Sequence, residues 1–232
     1  MGYQVDQQLL RDVIRWDIAN WSKALACWDS RIDWQAGPYE CLEVGSWQGG
    51  LSIWLALKGQ HVVCSDLEGI DGRAAPLLHK YGVEPLVECR DVDATDIPYE
   101  NHFDIVIFKS VLGGIGRNGN LNRQKQAIGQ IYKALKPGGR LLFAENLTGF
   151  FLHSFFRKAF VSWGRDWRYV TIPEMQLLLA RFSTLHLETT GITGVFGRTE
   201  NQKHLLARID ESFLNGITPA HWKYIVYGVA QK

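Results

Sequence analysis

The chain has 232 residues, of which 46% are hydrophobic and 21% are charged. This length and composition allow one large domain with a sizeable core and exclude an intrinsically disordered chain. The formal net charge at pH 7 is only +1, so the protein as a whole has no electrostatic reason to bind nucleic acid.

The chain begins with a pattern typical of a helix. Between residues 14 and 28, apolar side chains recur at alternating spacings of four and three, which places them on one helical face. These side chains are Ile14, Ile18, Trp21, Leu25 and Trp28. Such a stripe is usually core packing, so we interpret the tryptophans as structural. Gly37-Pro38 then breaks the chain, and we expect a helical cap over about residues 1–36.

Strands and helices alternate from residue 39 onward. Apolar runs predict seven strands, at residues 39–44, 61–65, 85–89, 103–108, 140–144, 183–190 and 223–230. Helical spacing occurs at residues 49–57, 73–81 and 121–135, and the last of these helices stops at the sequence KPGG of residues 136–139. Near-continuous apolar strands between helices argue for a parallel sheet covered on both faces. The predicted fold class is therefore α/β, with a doubly wound, mostly parallel seven-stranded sheet.

The C-terminal third departs from this alternation. Residues 149–169 are rich in aromatic and basic side chains without a clear period. Thr171, with Glu174 three residues later and Pro173 in the first turn, predicts a helix that runs to about residue 182. A further helix is expected near residues 202–214. We predict one domain over residues 1–232, with insertions at about residues 147–170 and 194–222.

A glycine-rich turn, EVGSWQGG (residues 43–50), joins the first strand to its helix. Gly45 permits a tight turn, and Gly49 lets helix and ligand approach closely. Asp66 ends the next strand, where doubly wound folds place a carboxylate that binds ribose hydroxyls. Trp47 fits poorly against a dinucleotide pyrophosphate, which disfavours a nicotinamide dehydrogenase. S-Adenosylmethionine has no phosphate, and Glu43 fits a site for its cationic methionine end.

These residues resemble the class I S-adenosylmethionine-dependent methyltransferases. DATDIP (residues 93–98) is similar to the family's adenine-binding motif, and LKPGGRLLF (residues 135–143) to its turn into the fifth strand. The resemblance covers residues 39 to about 146 and implies an antiparallel last strand and S-adenosyl-L-methionine as cofactor. It implies that Asp93 reaches the adenine amino group. The predicted cofactor contacts are Glu43, Gly45, Ser46, Trp47, Gly49, Asp66, Leu67, Asp93, Ala94 and Lys109.

The sequence departs from the family pattern at two places. Trp47 occupies the position at which the first motif of the family has its middle glycine. This difference affects the geometry with which the methionine end would be held. Many small-molecule O-methyltransferases of the class have a histidine shortly after the fourth strand, and here the corresponding residues 112–115 read LGGI. A catalytic base, if one is used, must therefore come from elsewhere.

Ligands of open α/β sheets lie beyond the carboxyl ends of the strands, which directs attention to Lys109 and Glu145. Lys109 is a catalytic candidate that either contacts cofactor or acceptor or is a solvated lysine at a strand end. Glu145 is either an acceptor-site base or a helix cap. His153, in the insertion that follows, is the first choice for a general base, and a surface or packing histidine is the alternative. No metal is predicted, because displacement at a sulfonium needs none and no cluster has ligand spacing.

The rings and cations of the insertions suit a sugar-like acceptor that bears a carboxylate or phosphate, and they equally suit a folded cap with solvated charges. Basic–aromatic mixtures also bind single-stranded nucleic acid, a minor option at this net charge. The candidate acceptor contacts are Arg157, Trp167, Arg168, Tyr169 and Arg198.

Four short sequences extend the resemblance: WSKAL (residues 21–25), FKSVLGGI (108–115), WRY (167–169) and WKYI (222–225). Together they resemble a bacterial methyltransferase group associated with surface-polysaccharide synthesis, which implies a sugar hydroxyl as acceptor. The leading hypothesis is an O-methyltransferase of a glycan or small polar molecule. An N- or C-methyltransferase of secondary metabolism and a cofactor-binding, inactive partner subunit stay open.

The N-terminal residues lack the charged-then-apolar pattern of a secretion signal, and no apolar run reaches the length of a membrane span. The four cysteines have neither CxxC nor metal-finger spacing and are typical of buried thiols in a reducing compartment. We therefore predict a cytoplasmic protein without a membrane span.

Overall fold

A computed structural model describes residues 6–160 and 166–232, without the side chains of residues 154 and 157–160. One seven-stranded sheet organises the described residues. Its strands are β1 (Glu40–Val44), β2 (His61–Asp66), β3 (Val87–Asp91), β4 (Phe103–Lys109), β5 (Leu135–Asn146), β6 (Thr184–Thr190) and β7 (Ile225–Gln231). The strand order is β3-β2-β1-β4-β5-β7-β6, and β7 runs antiparallel to both β5 and β6. The predicted fold class, with its antiparallel last strand, is confirmed.

Helices cover both faces of the sheet. They are α1 (Gln7–Ile14), α2 (Ile18–Asp29), α3 (Gly50–Ala56), α4 (Ile70–Tyr81), α5 (Leu112–Ile115), α6 (Leu121–Ala134), α7 (Phe151–Phe160), α8 (Ile172–Leu178) and α9 (Glu200–Ile209), the last continuing through a π-helical turn (Asp210–Leu214) into α10 (Asn215–Ile217). Along β4, Ile105 and Ile107 pack into the core beneath α1–α4, whereas Val106 and Phe108 pack into the core beneath α6 and α8. This two-sided burial explains why the strand is apolar throughout.

The N-terminal stripe belongs to two helices rather than one. Trp21, Leu25 and Trp28 are buried as the spacing predicts, but Ile14 ends α1. Between the helices, Arg15 (φ 75°) and Asp17 (φ 47°) have left-handed backbone conformations that no α-helix contains. The apolar spacing continues across this break, so the sequence pattern predicts one continuous helix.

Other boundaries also differ from the predicted ones. β5 begins at Leu135, so the KPGG sequence lies inside the strand, where a register shift between Phe103 and Ile105 of β4 accommodates it. Residues 151–160 form a helix despite their unclear period. The capping box of Thr171 and Glu174 is present as predicted, but α8 ends at Leu178. Within residues 6–160 and 166–232, no helix combines the length and apolarity that crossing a bilayer requires.

Candidate functional site

The carboxyl ends of β1, β4 and β5 meet at one edge of the sheet, because the three strands are adjacent and parallel. This edge brings together the glycine-rich turn after Val44, Lys109 with Ser110, and Glu145 with Asn146. Asp66, at the end of β2, lies beside the turn. The topology therefore assembles most of the predicted cofactor residues.

The glycine-rich turn is held by hydrogen bonds and by backbone conformations that favour glycine. Gly45 has a φ of +66°, and a Cβ there would lie 2.6 Å from the Val111 side chain. Gly49, at φ +79°, precedes α3, and its N–H donates to Ser46 Oγ (2.7 Å). The Ser46 N–H donates to the carbonyl of Ser65 on β2 (2.9 Å). The turn is thus fixed before any ligand arrives.

Asp66 is oriented by the backbone on either side of it. Its Oδ2 accepts from the Trp47 N–H and its Oδ1 from the Leu67 N–H, both at 2.7 Å, and the Arg73 guanidinium lies 3.4 Å from Oδ2. A carboxylate has about four acceptor positions, so each oxygen keeps capacity for another donor. Trp47 and Leu67 are exposed, and they place apolar surface beside this carboxylate. The arrangement suits a ribose joined to a flat base.

Asp93 and Ala94 follow β3 on the same edge of the sheet. Asp93 Oδ1 accepts from the N–H and the hydroxyl of Thr95, both at 2.8 Å, while Oδ2 lies 3.6 Å from the Arg123 guanidinium. The hydrogen bond from the Thr95 N–H holds the pKa of Asp93 below its ordinary value. Asp93 is therefore an ionised, partly exposed acceptor that suits an amino group.

Glu43, on β1, is hydrogen-bonded to the start of α3. Its carboxylate is buried and accepts from the N–H (2.7 Å) and hydroxyl (2.6 Å) of Ser52 and from the Leu51 N–H (3.3 Å). Burial raises the pKa of Glu43, and these hydrogen bonds oppose the rise. The carboxylate therefore holds the first turn of α3, and its predicted contact with a methionine end stays a prediction.

Lys109 ends β4 with an unusual environment for an amine. Its Nζ is buried and has no hydrogen-bond partner among the described residues, although part of the residue is accessible. Nζ lies 3.3 Å from the ring centroid of Trp16 and 5.0 Å from that of Trp21. Burial lowers the pKa of Lys109 to about 7, an effect that Glu43 opposes and Arg15 strengthens. Lys109 is thus an amine that can lose its proton near neutral pH.

Glu145 has the role of a helix cap. Its Oε2 accepts from the Val111 and Leu112 N–H groups at 2.8 and 2.7 Å, and its Oε1 accepts from the Asn146 N–H at 2.7 Å. The side chain is completely buried, and burial raises its pKa against these hydrogen bonds. Of the two roles left open by the sequence, the geometry supports the cap and not the base.

His153 is buried in α7 and both of its ring nitrogens are engaged. Nδ1 accepts from the Phe150 N–H (3.2 Å), and Nε2 lies 2.7 Å from the Ile192 carbonyl, which makes Nε2 the protonated nitrogen. The ring also packs against Tyr224 at 5.4 Å between centroids. This geometry gives His153 a packing role and does not support it as the general base.

The predicted acceptor contacts are only partly assembled. Arg168 donates to Gln124 Oε1 (2.8 Å) and pairs with Glu174, so its guanidinium is part of the α6–α8 packing rather than an open anion site. Trp167 packs on α5, where a Cβ on Gly113 would lie 2.6 Å from the indole. The glycines of residues 113 and 114 therefore make room for an aromatic ring.

The structure describes the side chains of two of the three remaining acceptor candidates. Tyr169 is half-buried, with its ring centroid 6.4 Å from that of Trp167. Arg198 is exposed, and its N–H donates to Gln202. The Arg157 side chain lies outside the described residues.

Two features of the edge are not predicted from the sequence. Asp91, at the end of β3, accepts from the Gly69 N–H (2.9 Å) and the Ile70 N–H (3.0 Å) and so fixes the start of α4. The segment of residues 15–17 covers the edge, because Trp16 lies over Lys109 and the Arg15 guanidinium lies 5.9 Å from the Trp47 ring centroid. An acidic residue at a strand end could have predicted the role of Asp91. No local sequence pattern predicts that residues 15–17 cover the edge.

One group of possible metal ligands occurs within residues 6–160 and 166–232, and it lies away from this edge. Cys27 of α2 and His186 and Glu188 of β6 bring their ligand atoms within 4.8 Å of one another. The Arg31 guanidinium lies 2.6 Å from His186 Nε2 and 3.5 Å from Glu188. The positive charge of this side chain therefore already neutralises the group. Burial raises the pKa of the Cys27 thiol to about 11, which opposes thiolate ligation.

Residues 42–143 match the sequence model of a family described as a methyltransferase domain. The matched region begins in β1 and ends in β5, so it contains the glycine-rich turn, Asp66, Asp93 and Lys109. Comparison of the sequence with curated proteins gave no match.

Solved structures with this fold include methyltransferases. The 1,6-didemethyltoxoflavin N1-methyltransferase of Burkholderia thailandensis, solved with its substrate and S-adenosylhomocysteine, aligns over 96% of this chain and 81% of its own with a TM-score of 0.62 and 16% identity. A protein of Bacillus halodurans described as a putative methyltransferase aligns over 84% and 92%, with a TM-score of 0.57 and 18% identity.

The [4+2]-cyclase SpnF has the same fold. It aligns over 84% of this chain and 75% of its own, with a TM-score of 0.57 and 21% identity. Identities at this level show the fold alone. The match of residues 42–143 to the family model is what supports a methyltransferase domain.

Proposed function

We propose that this protein is an S-adenosylmethionine-dependent methyltransferase that acts on a hydroxyl of a sugar, a glycan or another small polar acceptor. The observation that carries the proposal is the placement of Asp66 beside the preformed glycine-rich turn, with exposed apolar surface next to it. This set lies within the residues that match the methyltransferase domain.

The residues of the edge fit the cofactor. Gly45 and Gly49 would let it approach the backbone, Asp66 would accept from the ribose hydroxyls, and Leu67 would pack against the adenine. Asp93, beside Ala94, would accept from the adenine amino group. When bound, S-adenosylmethionine supplies a methyl group made electrophilic by its sulfonium.

Lys109 is the proposed general base in place of His153. Of the three catalytic candidates, Lys109 alone has a buried polar atom without a hydrogen-bond partner, since Glu145 caps α5 and His153 is engaged at both nitrogens. An amine with a pKa of about 7 has both the unprotonated form and the driving force to accept a hydroxyl proton at neutral pH. Trp16 covers Nζ and must move for an acceptor to reach it.

The sugar-like acceptor rests on the resemblance to methyltransferases of surface-polysaccharide synthesis and on the rings of Trp167 and Tyr169 near the edge. Arg168 is paired with Glu174, so its guanidinium is not proposed to bind an anionic group of the acceptor. N-Methylation is a second candidate, because a solved structure with this fold is an N-methyltransferase.

Two measurements test the proposal. We expect calorimetry to show binding of S-adenosylhomocysteine and no binding of NAD⁺. We also expect incubation with S-adenosylmethionine labelled in its methyl group, together with saccharide fractions, to give an acid- and base-stable labelled product, as an ether is. Binding without methyl transfer to any fraction would contradict the enzymatic proposal, and label in amines would favour N-methylation.

A further inference from the structure

Two of the four cysteines face each other across neighbouring strands. Cys64 on β2 and Cys89 on β3 are direct partners in the parallel register, and both thiols are free. Both side chains pack against the core beneath α1–α4, so they lie on the same face of the sheet. Paired residues of adjacent strands lie about 4.8 Å apart, within the Cα separations of about 4.4–6.8 Å that disulfides span. The backbone therefore already has a separation that a disulfide can bridge.

The two thiols differ in access and in ionisation. Cys64 is completely buried, whereas Cys89 is half-buried on β3, the edge strand of the sheet. The hydrogen bond from the Cys64 thiol holds the pKa of Cys89 below its ordinary value, although burial and nearby carboxylates such as Asp71 oppose this effect. The same contact and burial raise the pKa of Cys64. Since the thiolate is the nucleophile, an oxidant reacts first with Cys89, and Cys64 lies beside the product.

The other two cysteines lack such a partner. Cys41 on β1 is paired in register with Val62 and Ile105, and the nearest polar group to Cys27 Sγ is the Glu188 carboxylate at 3.8 Å. Burial raises the pKa of both thiols. Among the four cysteines, all of which the structure describes, Cys64 and Cys89 are thus the pair that can be oxidised together.

The Cys64 sulfur also contacts the glycine-rich turn. It lies 3.1 Å from Ser46 Oγ, which accepts from the Gly49 N–H at 2.7 Å. A Cβ on Gly49 would lie 3.5 Å from the same sulfur. Because the Cys64 S–H is directed to Cys89, the Ser46 hydroxyl donates to Cys64 Sγ. A chain of hydrogen bonds therefore runs from the backbone of the turn through Ser46 and Cys64 to the half-buried Cys89.

We propose that Cys64 and Cys89 form a redox modification site, which peroxides oxidise to a disulfide that weakens cofactor binding at the glycine-rich turn. The Cys89 thiolate attacks one oxygen of hydrogen peroxide, the O–O bond breaks, and the other oxygen takes up a proton and leaves as water. The Cys64 sulfur then attacks the sulfur of this sulfenic acid, its S–O bond breaks, and the hydroxyl leaves as water with the Cys64 proton. The two sulfurs together lose the two electrons that reduce the peroxide.

The disulfide acts on the turn through Ser46. Bonding to Cys89 draws the Cys64 sulfur toward β3 and away from Ser46, so the Ser46 hydroxyl loses the contact that orients it. This consequence rests on the proposed function, because it assumes that the turn holds S-adenosylmethionine. The formation of the disulfide does not depend on that assumption.

Peptide mapping of the full chain tests the site itself. After treatment with hydrogen peroxide, alkylation and tryptic digestion without a reductant, we expect residues 59–73 and 81–90 to appear as one disulfide-linked species. The number of free thiols in the denatured chain should fall from four to two. Dithiothreitol should reverse both changes. Sulfinic acid at Cys89 without the linked species, or a link through another cysteine, would overturn the proposal.

Calorimetry with S-adenosylhomocysteine tests the consequence. Oxidation should weaken the affinity about fivefold, which corresponds to the loss of one hydrogen bond, and dithiothreitol should restore it. Cys89→Ser should form no disulfide and keep its affinity after peroxide treatment. Cys27→Ser, the matched control, should respond to peroxide as the natural chain does.

The outcomes separate this inference from the proposed function. The linked species with an unchanged affinity for S-adenosylhomocysteine would overturn the effect on the turn. An equal loss of affinity in peroxide-treated Cys89→Ser would overturn it as well, since another oxidised residue would then be the cause. A reduced chain that binds no S-adenosylhomocysteine would contradict the proposed function, whereas the linked species would still establish the redox site.

Discussion

The Asp66 carboxylate is the residue on which the proposed cofactor binding most depends. Asp66→Ala would remove the two charge-assisted hydrogen bonds proposed to the ribose, each worth about 1.5–3 kcal/mol, so the affinity for S-adenosylhomocysteine should fall at least about tenfold. Asp66→Asn, which keeps one acceptor oxygen, should lose less. Calorimetry measures both, and Asp71→Ala, an exposed acid in the first turn of α4, serves as control. An unchanged affinity in Asp66→Ala would remove the residue from the site.

As the proposed general base, Lys109 should give the turnover a characteristic pH dependence. As a base it must be unprotonated, so kcat/KM should rise as pH increases toward 7 and level off above the pKa of about 7. Lys109→Met should remove this rise and lower kcat by about 10²–10⁴-fold, while calorimetry shows an unchanged affinity for S-adenosylhomocysteine. Lys125→Met, on the exposed face of α6, should behave as the natural chain. Lower cofactor affinity with the pH profile retained would mean that Lys109 anchors the cofactor instead.

Residue identity and spacing predicted where the polar side chains lie but not with what they pair. Asp66 and Asp93 follow strands and keep acceptor capacity, as expected. Glu43 and Glu145 also lie at the predicted edge. Each of these carboxylates, however, accepts backbone hydrogen bonds from the N-terminus of a helix in another part of the chain. Sequence alone could not choose between a ligand contact and a helix cap, because both need an ionised acceptor at a strand end.

At the scale of elements, strong hydrophobic periodicity was sufficient to predict a strand or helix, and weak periodicity was not. The buried strands and α6 agree with the sequence to within a few residues, since their apolar side chains must meet the core. The break at residues 15–17 was missed because its left-handed conformations are stabilised by distant contacts. Glu200, on α9, accepts from the Asp17 and Ile18 N–H groups at 2.8 and 3.1 Å.

Glu200 therefore caps α2 and holds the segment that covers the cofactor edge. Glu200→Ala should lower the free energy of unfolding by about 0.5–2 kcal/mol, as the loss of a helix cap does. Burial raises the pKa of Glu200, but the two backbone hydrogen bonds outweigh it and leave the pKa below its ordinary value of 4.5. The stabilisation is thus present above pH 4.5 and declines as pH falls below it.

Thermal and urea unfolding at pH 7 and pH 3 measure this difference. Glu211→Ala is the matched control, because the Glu211–Lys23 pair is an exposed salt bridge and should change stability by less than about 1 kcal/mol. A Glu200→Ala variant as stable as the natural chain at pH 7 would contradict the capping role.

At the scale of the whole molecule, the two halves of the site differ in how far the sequence predicts them. The cofactor half lies within residues 42–143, where turn, strand and acid follow one another locally. The proposed acceptor half combines residues 15–17, which cover Lys109, with Trp167 and Tyr169, which lie far from them in the sequence. Its side chains are fixed by long-range contacts such as that of Trp167 with Gly113, and no local pattern encodes such contacts.

The whole-molecule arrangement also separates the metal-ligand group from the catalytic edge. His186 and Glu188 lie on β6, with Cys27 of α2 beside them, three strands from β4, which ends in Lys109, and at about 4.8 Å per strand this is about 14 Å. Displacement at a sulfonium needs no Lewis acid to activate the leaving group, and the Asp66 and Glu145 carboxylates at the edge already accept backbone N–H groups. Methyl transfer should therefore be unchanged after treatment with EDTA, and Glu188→Gln should leave turnover as it is. Methyl transfer to a saccharide fraction, measured before and after dialysis against the chelator, is the test. Loss of activity that returns on adding Mg²⁺ or Mn²⁺ would contradict this prediction and would make a carboxylate of the edge a metal ligand.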